Sequence, residues 1–186
     1  MKKIFLACLV LVGFHSQAAV QYSPQKPTVQ FVAVGKPSML KIKGKTDQMQ
    51  GAIHLDGQTI KGQLSVPLLT LDTGIDTRDE HMKKKYLETD KYPNAVLKID
   101  QMTLPANSLS GQKNEAVPFQ GTLELHGVVK PVSGVMSFQG QDNRISVSAK
   151  YQVKLTDHQI DIPSYLGIKV ADVVDIETEM TLTKTQ

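Results

Sequence analysis

Tryptophan is absent from this chain, and cysteine occurs once, at Cys8. That cysteine lies in an N-terminal stretch with the features of an export signal. Met1-Lys2-Lys3 is basic, Ile4 to Phe14 is apolar, and Ser16-Gln17-Ala18 offers the small residues a signal peptidase reads. Cleavage is expected after Ala18, with release as a soluble secreted protein. The apolar run is too short to span a bilayer. Cys8 is poorly placed for acylation, since Phe5 stands where a lipoprotein signal has a small aliphatic residue. The remaining domain, residues 19–186, would contain no cysteine, which excludes a disulfide framework and a thiol nucleophile. Its stability must then come from an apolar core.

A dominant charge is also missing. Removing Lys2 and Lys3 from 21 basic residues leaves 19 against 18 acidic ones, a net charge of +1. A nearly neutral surface offers no electrostatic footprint for nucleic acid. Aromatic residues make up only 5% of the chain. The usual signatures of catalysis are lacking as well: no Gly-x-Ser-x-Gly elbow, no Ser-x-x-Lys, no phosphate loop and no dinucleotide fingerprint.

Helical periodicity is scarce, and two-residue alternation takes its place. Ile145, Val147, Ala149, Tyr151, Val153 and Leu155 share one face. Phe119, Gly121, Leu123 and Leu125 share another, as do Val174, Ile176, Thr178, Met180 and Leu182. This is the pattern of antiparallel strands with one dry and one wet side. Weaker alternation covers residues 28–34, 38–46, 50–56, 59–71, 94–103 and 132–140. Turn signals separate these runs at Gly35-Lys36-Pro37, Asp56-Gly57, Asn107 to Asn114 and Asp142-Asn143. Eight or nine strands in one all-β domain are expected. Strands of roughly 10–13 residues, about 33–43 Å long, suit a tilted closed barrel better than a small sandwich.

The segment from Leu71 to Pro93 is far longer than a hairpin link. It holds a tight turn, Asp72-Thr73-Gly74, and a short charged helical run in which Asp76 or Thr77 is the expected cap. Asp79 and Glu80 would sit in the positive first turn and Lys83 to Lys85 near the negative end. Those lysines are also candidates for anionic lipid head groups. Asp79, Glu80 and His81 are consecutive, so a helix would splay them apart, and a loop-pinning role for Arg78 and Asp79 fits better than catalysis. Lys91, Tyr92 and Pro93 read as a turn that launches the next strand. His54, His81, His126 and His158 lack the paired spacing of a zinc site and are expected at the surface or in turns. Tyr165 and Leu166, in the loop after Asp161, could gate one barrel end.

The residues Leu71-Asp72-Thr73-Gly74, Arg78-Asp79-Glu80-His81-Met82 and Lys91-Tyr92-Pro93 resemble the first signature block of the YceI-like family. Gly121-Thr122-Leu123-Glu124-Leu125-His126-Gly127-Val128-Val129-Lys130-Pro131-Val132 resembles the second, and the similarity runs from about Leu40 to Lys184. The resemblance implies a single antiparallel, lipocalin-like barrel of about eight strands in the periplasm of a Gram-negative bacterium. It further implies a polyisoprenoid chain, or an amide or quinone built on one, held inside. Phe31 to Met39 lacks the Asp and His that family members usually carry there. The first strands and one end of the pocket are therefore expected to differ, and ligand length and head group stay open.

Alternation places Leu64, Val66, Leu97, Ile99, Phe119, Leu123, Leu125, Phe138, Tyr151, Val153, Ile176 and Met180 inward, as candidate ligand contacts. The expected function is sequestration or transport of an apolar isoprenoid lipid, with transient membrane contact, by a monomer or homodimer. No metal and no cofactor beyond the bound lipid is expected, and the protein reads as a non-enzyme. Two other readings stay open at this level: a surface-interaction module with a filled core, and a lipid hydrolase using Asp79 or His81.

Overall fold

The computed structural model describes residues 19–36, 40–105, 109–141, 143–165 and 168–185. Residues 1–18, read above as an export signal, Pro37 to Met39, Asn107, Asp142, Leu166 and the side chain of Tyr165 lie outside the described residues. Eleven strands form in chain order: β1 (Val20–Lys36), β2 (Leu40–Thr46), β3 (Gln50–Asp56), β4 (Thr59–Pro67), β5 (Asn94–Thr103), β6 (Lys113–Leu125), β7 (Val128–Gln141), β8 (Arg144–Lys154), β9 (Ser164–Tyr165), β10 (Ile168–Val170) and β11 (Val173–Lys184). Neighbours pair antiparallel from β3 through β8, then β8 with β11. Pairing of β11 with β1, and of β1 with β3, closes an eight-stranded barrel. Closure removes the sheet edges that an open sheet of this length would expose.

Alternation works as expected along these strands. Ile145 and Val153 on β8 are buried, while Ser146, Lys150 and Gln152 between them face solvent. Register keeps inward residues opposite one another, as in Tyr151↔Ile176 and Leu64↔Leu97. At one end lie the end of β1, the start of β2, the segment between β4 and β5, the β6–β7 turn, the end of β8 and the start of β11. This end is the mouth.

Several boundaries differ from the sequence expectation. The first strand begins at Val20, eight residues before residue 28, because Pro24 and Pro27 do not break it. Proline lacks only a donor, and a strand tolerates that where no ladder bond is required. Such a place exists here. β1 pairs with β3 over Val20–Tyr22 and with β2 from Val29 onward, leaving residues 23–28 and 47–52 unpaired across a seam. A bulge between Gln25 and Thr28, with Lys26 at φ 47°, accompanies the seam. The expected strand over 59–71 stops at Pro67, and a 3-10 turn follows at Leu68–Thr70. The strand at 119–125 instead starts at Lys113, and a bulge between Asn114 and Val117 absorbs the irregular stretch read as a turn.

Candidate functional site

The inward residues form two apolar clusters stacked along the barrel. The one away from the mouth is built on Tyr22, Ile53, Leu64, Ile99, Phe119 and Phe138, among others. The one at the mouth contains Leu68, Leu71, Leu123, Leu125, Val153 and Ile160. Tyr151 packs against both. Phe119, Gly134 and Tyr151 stand side by side on β6, β7 and β8. A Cβ on Gly134 would lie 2.8 Å from both aromatic side chains, so only glycine lets the rings meet edge to face, 6.0 Å apart.

Of the twelve candidate contacts, Leu64, Ile99, Phe119 and Phe138 are buried in the inner cluster, with Met180 packed against it. Leu123, Leu125 and Val153 are buried in the mouth cluster, with Leu97 and Ile176 packed against it. Val66, half-buried opposite Ala95, joins neither cluster.

The interior is lined but not sealed. Among the described residues, no large side chain is wholly cut off from solvent. Leu97, Val147, Ala149, Tyr151, Ile176 and Met180 pack on the interior clusters yet remain only partly buried. Desolvation pushes the Tyr151 phenol up to about 12, as expected for a group deep in apolar surroundings. Two shallow grooves on the outer wall, of about 480 and 360 Å³, present a different chemistry. Lys41, Lys43 and Glu177 line the first beside Tyr151 and Ile176, and serines and threonines line much of the second beside Phe138, Val147 and Met180. Neither suits an apolar cargo.

A lid closes the mouth. Helix α1 (Asp76–His81) continues into a π-helical turn at Met82–Tyr86. Met82, Tyr86 and Leu87 pack down on the mouth cluster. Sequence reasoning passed over these three, although Met82 and Tyr86 are one helical turn apart and could have been read as one apolar face. The expected cap is corrected: Ile75 occupies the N-cap position and no side chain caps the helix. Asp79 instead reaches back, its carboxylate accepting from the Thr73 N–H at 3.1 Å and from the Thr73 hydroxyl. Arg78 donates to the Thr73 hydroxyl and carbonyl at 2.8 and 2.7 Å. Thr73 follows Asp72, which exchanges two backbone bonds of 2.9 Å with Lys45 on β2. Arg78 and Asp79 therefore pin the lid to the rim.

The other half of the lid is held by histidines. His126, at φ 53° in the β6–β7 turn, bonds Glu88 through Nε2 at 2.9 Å and the His158 carbonyl through Nδ1 at 3.1 Å. Tyr92 meets the His126 ring edge to face at 4.5 Å and lies against Gly127, where a Cβ would come within 2.6 Å of its ring. Lys91 first, then His126, holds the Glu88 carboxyl below its usual range. His158 lies in a turn, one of the two expected settings, but it is 4% exposed, in the 3-10 turn Leu155–His158. Its Nδ1–H donates to the Val128 carbonyl at 3.0 Å and also lies 3.3 Å from that of Leu125. The two signature blocks thus meet in space, Tyr92 of the first against His126 and Gly127 of the second, with Glu88 between the first block's parts bonded to His126. Among the described residues, no group of three or more His, Cys, Asp or Glu side chains is placed to hold a metal.

Comparison with known proteins agrees with this architecture. A polyisoprenoid-binding domain from Saccharophagus degradans implicated in plant cell wall breakdown superposes with a TM-score of 0.70 at 20% identity, covering 88% of this chain and 98% of that one. Burkholderia cenocepacia BcnA gives 0.67 at 18% identity, over 84% and 96% of the two chains. A YceI protein from Campylobacter jejuni gives 0.60 at 18%, over 78% and 85%. No curated protein sequence matches closely enough to count as a relative. The sequence model of the YceI-like domain matches residues 21–182, which carries the similarity back from Leu40 through β1. With the closed barrel, its apolar interior and both signature blocks in place, the chain belongs to the YceI-like family.

Proposed function

We propose that this protein binds an apolar isoprenoid lipid, polyprenyl or quinone-like, inside its barrel and carries or sequesters it in the periplasm. The observation that carries the reading is the state of the interior: it is almost wholly apolar, and part of its lining, at Leu97, Val147, Ala149, Tyr151, Ile176 and Met180, is only partly buried. A packed core would seal those side chains. Removing an apolar chain from water yields about 25 cal/mol per Å², so a long slender tail supplies ample driving force without any covalent step. The similarity to a polyisoprenoid-binding domain supports the choice of ligand class. Export rests on the N-terminal signal, and loading on transient contact with a membrane, since water does not dissolve such chains.

The reading is of a binding protein, not an enzyme, with no cofactor other than the lipid. It is supported by the use to which the polar signature residues are put: Asp79 and His126 hold the lid. Replacing Leu125, in the mouth cluster, by Trp tests the proposal. A hollow interior predicts loss of bound lipid with little loss of stability. A solid core predicts destabilisation by about 1–3 kcal/mol from overpacking, and that result would overturn the reading.

A further inference from the structure

Seven large apolar side chains are exposed among the described residues, and their distribution is uneven. Leu40, Leu69, Ile75, Val129 and Val173 all sit at the mouth end, while Leu109 lies at the opposite end and Val135 midway along β7. The five come from separate parts of the circumference: the start of β2, the segment after β4, the start of β7 and the start of β11. Isolated exposed apolar residues are ordinary. A ring of them around one opening is not, and it matches the footprint of a plane.

Charge at the same end is also uneven. Lys36, Lys41, Lys43, Lys83, Lys85 and Lys169 make no ion pair among the described residues. Carboxylates share this end, some engaged and some not: Asp76 and Asp90 make no ion pair among the described residues either. Asp72 accepts from the Gly74 N–H, Asp79 from Thr73 and Asp172 from Thr156, while Glu80 pairs with Lys84, Glu88 with Lys91 and Asp157 with Lys154. Unpaired lysines on β1, β2, β10 and the lid thus accompany the apolar ring.

We propose that the mouth end docks on an anionic bilayer, with Leu69 and Ile75 entering the head-group layer and the unpaired lysines meeting lipid phosphates. A protein with an acidic face would satisfy the lysines, but a flat bilayer meets apolar residues on all sides of the opening at once. The proposal rests on the container reading for its purpose, because a lipid cargo must pass between membrane and barrel.

The absence of tryptophan makes the test direct, since an introduced one is the sole reporter. Ile75→Trp and Val135→Trp are each mixed with vesicles of phosphatidylglycerol and phosphatidylethanolamine in equal parts, with and without brominated acyl chains. Docking predicts a blue shift and bromine quenching for Ile75→Trp, both weakened by salt or by omission of phosphatidylglycerol, and neither for Val135→Trp. The double variant Leu69→Glu, Ile75→Glu should co-sediment with these vesicles about tenfold less. No response from Ile75→Trp, or an equal response from Val135→Trp, would overturn the surface. Protein that carries extractable lipid but ignores vesicles would sink this surface alone. Lipid-free protein that docks through Ile75 would sink the container reading and leave the surface standing.

Discussion

His126 touches two separate stretches of chain: Glu88 and Tyr92 in the lid connection, and the His158 carbonyl in the turn over the mouth. Removing its imidazole leaves that carbonyl without this donor and the lid without its second anchor. His126→Ala should lower unfolding stability by about 1–3 kcal/mol in denaturant. It should also speed tryptic cleavage at Lys83, Lys84 and Lys85, which lie in the lid. Unchanged stability with unchanged cleavage would show that this anchor carries nothing. Tyr151 allows a second test. Its phenol is raised from 10.0 to about 12 by desolvation, so the folded state holds that proton more tightly than the unfolded chain. The associated stability is complete below pH 10 and is lost as pH rises through 12, roughly 2–3 kcal/mol in all. Tyr151→Phe should lack that alkaline loss, and parallel pH profiles of the two proteins would contradict a deeply placed phenol. The sequence placed Tyr151 inward correctly, since alternation reports a face. It allowed a turn at His158 but not its burial, because alternation says nothing about a turn that folds back over a barrel end.

The seam between β1 and the β2–β3 pair is the weak element of the wall. Pro24 and Pro27 withhold two donors, and the bulge at Lys26 interrupts the strand between them. Amides at residues 47–52 that face the seam have no β1 partner. They should exchange with deuterium at least about tenfold faster than those of β7 and β8, which pair continuously from Gly134↔Tyr151 to Gln141↔Arg144. Equal protection would mean the seam is closed in solution. Strand legibility follows the same logic. The β8 and β11 runs were readable because each alternates without interruption. β1 was truncated in the reading because prolines look like breakers, and they are tolerated only where a neighbouring strand does not need their N–H groups. The helix cap was misread for a related reason: Asp76 has the right chemistry, but Asp79 is the carboxylate positioned to reach Thr73.

At the scale of the whole molecule, two properties of the sequence carried over intact. Period-two alternation in long strands anticipated a closed antiparallel barrel, and the length of the Leu71–Pro93 connection anticipated an embellished mouth. The convergence of the two signature blocks was not legible, because residues 92 and 126 are brought together only by the order in which strands close. The lid side chains Met82, Tyr86 and Leu87 escaped notice because the segment is too charged to look like part of a core. The resulting molecule is a container: an apolar bore, a pinned lid, and a rim of exposed apolar side chains. The most direct test is mass spectrometry of an organic extract from protein purified out of its native host without detergent. The account predicts a single isoprenoid species in stoichiometric amount. A repeated blank extract would contradict it.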